Sequence, residues 1–165
     1  MAINDGLISE LQYEAATTRK VLERIPTETF DWKPHEKSMS MHNLAAHVAD
    51  MFGWYRATLE QDGLDFADGY EQPKPATTEE LVALLDENVR AATESLQRAE
   101  PESFSKEWTL RSGEQVLFTM PKAAVIRTFV MNHIVHHRGQ LSVYLRLNDI
   151  PVPSIYGPSA DEQKF

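Results

Sequence analysis

The chain has 165 residues, 42% of them hydrophobic and 25% charged, with a formal net charge of −9 and no cysteine. Such an acidic surface excludes nucleic acid as a main partner, since phosphate binding needs clustered Lys and Arg. The missing cysteines exclude disulfides, thiolate metal sites, iron–sulfur clusters and a Cys nucleophile, so any metal must be held by His and carboxylates. The opening residues lack the basic and long apolar regions of a signal peptide, and no apolar run is long enough to cross a bilayer. A soluble cytoplasmic protein of one domain, residues 1–165, is expected.

In chain order, the first helical pattern covers Asn4 to Ile25, with Leu7, Ile8, Leu11, Ala15, Leu22 and Ile25 near one face, and Pro26 stops it. A second covers Ser40 to Glu60, with Ser38 or Ser40 as N-cap and Asp62-Gly63 as its close. The acidic linker that follows, up to Thr78, is expected to lie across the surface. A third helix begins at the Thr77/Glu80 capping box and carries Leu81, Leu84, Leu85, Val89, Ala92 and Leu96 on one side, before Pro101. Trp108 and Leu110, then Val116 and Phe118, alternate around Ser112-Gly113 and predict a short hairpin. The last helix starts near Pro121 and runs to Asn148. The fold class is therefore all-α: a four-helix bundle with a hairpin-like insertion before the last long helix.

Three of the six histidines, His133, His136 and His137, fall in that last helix. With His133 as zero and about 100° per residue, Ile126, Phe129, Val130, Leu141, Tyr144 and Leu147 all fall within about 80° of it. His137 lies about 40° away within this apolar stripe, and His136 about 60° away on its other edge. Arg138, Met131 and Arg146 fall on the opposite side, where Arg138 is expected to form a structural ion pair. Two imidazoles one turn apart can be core residues satisfied by hydrogen bonds, or they can share one ion.

Metal sites in bundles draw ligands from facing helices. In the second helix His47 is central in an inward stripe with Leu44, Met51, Trp54 and Thr58, while His42 points about 140° away and is expected in solvent. His35 sits in a loop and belongs to no site. His47, His133 and His137 together would supply three neutral nitrogens and leave a coordination position open, as in catalytic sites. Zinc suits such donors; nickel, iron and manganese are also compatible with imidazole. His136 is the alternative to His137.

The segments "FDWKPHEKSMSMHNLAAHVADMFGWY" and "NHIVHHRGQLSVYLRLNDIPVPSIYGPSADE" resemble the DinB/YfiT-like family of four-helix metalloenzymes. The resemblance implies one metal-binding His in the second helix and two, four residues apart, in the last. Here these are His47, His133 and His137. It also implies a homodimer and an enzyme whose metal, Zn or Ni first by ligand type, activates water or a low-molecular-weight thiol, making it a hydrolase or a thiol transferase. The alternative is a non-catalytic metal-binding or stress-response protein.

Around this set, Asp50 is either an orienting group or general base, or else a solvated acid or a salt-bridge partner of Arg138 or Lys122. Gln140 and Asn43 lie near the stripe and are open to hydrogen bonding with substrate, water or another helix. Trp54, Tyr55 and Tyr144 read first as core. Tyr156 is expected either over the pocket or in a subunit contact.

Overall fold

The computed structural model describes residues 3–163. Helix α1 spans Ile3–Leu22, α2 Met41–Met51, α3 Trp54–Glu60 and α4 Thr78–Arg98. Then α5 (Lys122–Ala124), a π-helical stretch (Val125–Met131) and α6 (Asn132–Leu147) follow without interruption. Around the bundle, α1 packs on α4 and α6, α2 packs on α4 and α6, and α3 continues the contact with α4. The core between them is made of residues such as Leu11, Leu22, Leu44, Val48, Tyr55, Leu81, Leu85 and Leu141, all at most 1% exposed.

Local chemistry sets the helix starts. The Ser40 side chain accepts from the Asn43 N–H, and Thr77 accepts from the Glu80 N–H, each at 3.2 Å. Glu80 reaches back to the Ala76 N–H at 2.7 Å, one residue further than an ordinary capping box.

The second helix is broken, where the periodicity predicts it continuous. Gly53 N–H bonds to Asp50 O at 2.8 Å, and the Ala49 carbonyl accepts from Asn88 Nδ2 of α4 at 3.0 Å. A Cβ on Gly53 would stand 3.0 Å from Asn88 Oδ1, so glycine lets this foreign cap approach.

The all-α description holds only approximately. The expected hairpin is present as β2 (Glu107–Ser112) and β3 (Gln115–Pro121), but β1 (Gly63–Asp65) from the linker pairs parallel to β2, giving the order β1-β2-β3. Gly63 faces Thr109, whose carbonyl would be 2.4 Å from an added Cβ. Asp65 clips the linker down: Oδ1 accepts from the Ala67 and Gly113 N–H groups at 2.9 Å, and Oδ2 pairs with Arg111 at 3.0 Å. Three residues are too few to show alternation, which is why β1 is silent in the sequence. Among the described residues no helix is long and apolar enough to cross a membrane.

The inward face of the last helix also differs from its expected position. Its buried residues in α6 are Ile134, Arg138, Leu141 and Leu145, centred about 110° from His133 at 100° per residue. Leu147, assigned to the apolar stripe, is 58% exposed, and Met131, assigned outward, is buried. The cause is Arg138, buried as half of a charge pair, which polarity alone cannot reveal; the wider π turns alter only the phase of the residues before α6.

Candidate metal centre

His47 projects from α2 towards α6, where it meets His133 and His137. The Nε2 atoms of His47 and His133 are 3.4 Å apart. The His47 ring centroid is 5.1 Å from that of His133 and 4.9 Å from that of His137, and the latter two are 4.6 Å apart. One nitrogen from each ring lies within 4.8 Å of the others. All three side chains are half-buried, so they occupy the flank of the bundle and not the centre of its core. Of the two candidates one turn after His133, the structure brings His137 together with His133 and His47; His136, the alternative, is exposed.

The electrostatics keep these rings neutral. Burial pushes His47 down to about 4, helped by the neighbouring charges His137 and His133 would carry. His133 is lowered by burial and by His137, against an opposing hydrogen bond to the Phe129 backbone carbonyl. His137 is lowered by burial, opposed by its hydrogen bond to Gln140. Neutral imidazoles expose lone pairs, the form that a metal requires.

The residues fit a divalent ion. Nitrogens about 2.1 Å from a tetrahedral zinc stand roughly 3.4 Å from each other, the separation seen between His47 and His133. His133 uses one ring nitrogen on the Phe129 carbonyl and directs Nε2 at His47; His137 uses Nδ1 on Gln140 Oε1 at 2.7 Å, leaving Nε2. A backbone carbonyl or amide oxygen on the outer nitrogen is the usual support of a ligating histidine. The half-exposed rings also leave an approach from solvent.

Other candidates fall into place around this centre. Asp50, one turn after His47, pairs with neither Arg138 nor Lys122. Its Oδ2 accepts from Trp54 Nε1 at 3.3 Å and from the Tyr70 hydroxyl. Burial, together with this bond to Asp50, pushes the Tyr70 phenol up, so it stays a donor. Tyr70 comes from the linker, where no periodicity marks it. Trp54 packs on Phe129 at 5.5 Å, and Phe129 on His133 at 5.7 Å, so an aromatic wall borders one side of the triad. Lys122 is buried and donates to the Leu59 and Gln61 carbonyls at the end of α3.

Gln140 bonds within its own helix, to His137 and His136. Asn43 is exposed, and its carbonyl accepts from Gln72. His42 is half-buried and not solvated as its angle suggests, because the linker returns over it: Nε2 donates to Pro75 O at 2.7 Å. His35 stays in its loop, accepting from the Lys37 N–H. Tyr55 is fully buried, and Tyr144 sits half-buried edge-on to Trp32 at 5.3 Å.

Tyr156 covers a different spot. Its hydroxyl donates to the Glu14 carboxylate and accepts from Arg138 Nη2 at 2.6 Å. Arg138, expected outward, is 1% exposed and pairs with Glu14 at 2.6 Å; the ion pair itself was expected. Nothing local marks Glu14 as a buried partner, although it falls on the Leu11–Thr18 face of α1.

A broken second helix, a last helix bearing two histidines one turn apart, and a third histidine across from them define a histidine-site helix bundle. The DinB family model matches residues 1–164, and the chain belongs to the DinB family. Two Bacillus subtilis (strain 168) proteins are similar in sequence: YrdA, 23% identical over 96% of this chain and 90% of its own, and YjoA, 23% identical over 88% and 91%. In structure the chain resembles a DinB-like protein of Bacillus cereus ATCC 10987, with TM-score 0.70 and 21% identity over 92% of this chain and 97% of that one. It resembles YjoA with TM-score 0.71 and 19% identity over 97% and 99%.

Proposed function

We propose that His47, His133 and His137 hold a divalent cation, zinc or nickel foremost and iron or manganese by ligand type also, and that this centre makes the chain a metal-dependent enzyme. The observation that carries the reading is three neutral imidazoles whose nitrogens converge within 4.8 Å with no carboxylate among them. When bound, such an ion supplies undiminished positive charge that lowers the pKa of water or of a low-molecular-weight thiol, giving hydrolase or thiol-transferase chemistry.

The chain's own groups have distinct parts in this reading. Gln140 and the Phe129 carbonyl orient His137 and His133. Asp50, held by Trp54 and Tyr70, is the candidate proton acceptor. The aromatic wall of Trp54 and Phe129 limits water on one side. Partial exposure of all three rings favours a catalytic centre over a closed structural one.

The proposal extends to one working domain, residues 1–165, in a cytoplasmic homodimer. The test is metal analysis of purified protein and of His133→Ala, then assay of the loaded protein on esters and on thiol–electrophile pairs. Equal metal content in both proteins would overturn the site. Loaded protein inert towards both substrate classes would favour the non-catalytic metal-binding alternative.

A further inference from the structure

Helical spacing leaves two histidines able to partner His133, because His136 and His137 follow it by three and four residues and both lie about one turn away. Their rings are 4.8 Å apart. One side chain touches both. Gln140 Oε1 is 2.7 Å from His137 Nδ1, and Gln140 Nε2 is 3.2 Å from His136 Nε2.

A carboxamide oxygen only accepts and a carboxamide nitrogen only donates. With the amide in this orientation, the two contacts call for two tautomers together. His137 must carry its proton on Nδ1, which leaves Nε2 as a bare lone pair. His136 must accept at Nε2, so that lone pair is engaged and its proton sits on Nδ1. We propose that Gln140 is a positioning residue that holds His137 in the tautomer whose Nε2 lone pair faces the triad, while its amide nitrogen engages the exposed His136. The inference rests on the metal reading of the triad given above.

The geometry explains why this amide can do both. Gln140 stands at i+4 from His136 and i+3 from His137, so it reaches the two rings across one turn. Reversing the amide would place a donor on His137 Nδ1 and move that ring's proton to Nε2, removing the donor atom from the triad. A neutral partner also adds no charge near the three imidazoles, whereas a carboxylate at the same place would make His137 more basic.

Substituting Gln140 separates the two contacts. Q140E keeps an acceptor for His137 and loses the donor to His136; Q140L loses both. The side chain is exposed, so neither change disturbs the core. The first readout is long-range proton–nitrogen NMR of metal-free protein with ¹⁵N-labelled histidine. The wild type and Q140E should show His137 protonated on Nδ1, while Q140L should show a tautomer mixture.

The second readout is Zn²⁺ and Co²⁺ affinity by competition with a chromophoric chelator, with the Co²⁺ absorption spectrum as a geometric signature. Q140L should bind about 10–100-fold more weakly with an altered spectrum, and Q140E should match or exceed the wild type. Wild-type His137 protonated on Nε2, or a Q140L protein with unchanged tautomer and affinity, would overturn the proposal. If wild-type protein binds neither ion, the metal reading falls, and so does the assignment of a ligand role to His137, while the tautomer spectra show whether Gln140 still sets the ring protons.

Discussion

Two polar clusters lie on neighbouring faces of α6, and they are built on opposite principles. Around Arg138 every charge has its counterpart: Glu14 gives a carboxylate at 2.6 Å, Thr18 Oγ1 and the Glu14 carbonyl accept at 3.2 Å, and the Tyr156 hydroxyl bridges acid and base. Around His133 the nitrogens converge on one another. Their outer sides are hydrogen-bonded to Phe129 and Gln140, and their inner lone pairs face a common point. The first cluster is complete in itself and ties α1, α6 and the tail together. The second gathers three nitrogens within 4.8 Å of one another, close enough to hold one ion. A buried polar group satisfied by its own protein reads as structure, and acceptors aimed at each other read as a ligand site.

The contrast is easiest to break at the charge pair. Glu14→Ala leaves Arg138 buried and unpaired, and should lower stability by about 3–5 kcal/mol in chemical denaturation. Metal affinity of the folded fraction should change far less. A loss under about 1 kcal/mol would mean that the Arg138 cluster is not the structural one.

The converse holds at the triad. His47→Ala, His133→Ala or His137→Ala should abolish tight metal binding, with little effect on the stability of metal-free protein. His136→Ala and His42→Ala should keep the metal, although His42→Ala gives up a hydrogen bond to Pro75 worth about 1 kcal/mol. Chelator competition and thermal shift on the same samples check both halves.

Acidity distinguishes the clusters next. His47 is depressed to about 4 when folded, against about 6.5 when unfolded. The unfolded chain therefore takes up the proton first as pH falls. The stability that the neutral ring confers is fully present above about pH 6.5 and is lost as pH falls towards about 4. Metal-free protein should show a falling melting temperature over this window, and His47→Ala should flatten it. With metal bound, protons compete with the ion, so the gap between loaded and chelated protein should be wide near pH 8 and much narrower by about pH 5.5. A gap independent of pH would detach the histidines from the metal.

The smallest expected effect is at the tail and the linker. Tyr156→Phe removes the hydroxyl between Arg138 and Glu14 and should cost about 1–2 kcal/mol in denaturant. Tyr70→Phe removes a donor to Asp50 at a 40% exposed position, and should change stability by less than about 1 kcal/mol. If Asp50 is the proton acceptor, the latter change should appear in a pH–rate profile more than in stability.

Much of this was legible in the residues. His47, His133 and His137 met because i, i+4 spacing and two facing helices leave little freedom, and Thr77 and Ser40 mark helix starts through chemistry that is local. The Gly53 break was not legible, since its cap comes from Asn88 on another helix. Nor was Tyr70, which reaches back from the linker to Asp50, twenty residues earlier in the chain.

By itself, then, the sequence determined the four helical segments, the hairpin and the three converging histidines, because hydrophobic period, caps and turn residues act over a few positions. The tertiary structure alone decided the rest. A buried Arg138 reads as a surface residue until Glu14 is placed beside it, since burial of a charge depends on a partner 124 residues away in the chain. The inward face of α6 is set by Ile134, Arg138, Leu141 and Leu145, so the histidines stand on its flank and remain half open to solvent. Three residues of linker become β1 because β2 offers an edge to pair with. In each case the deciding force is a contact between distant segments, which no local pattern encodes.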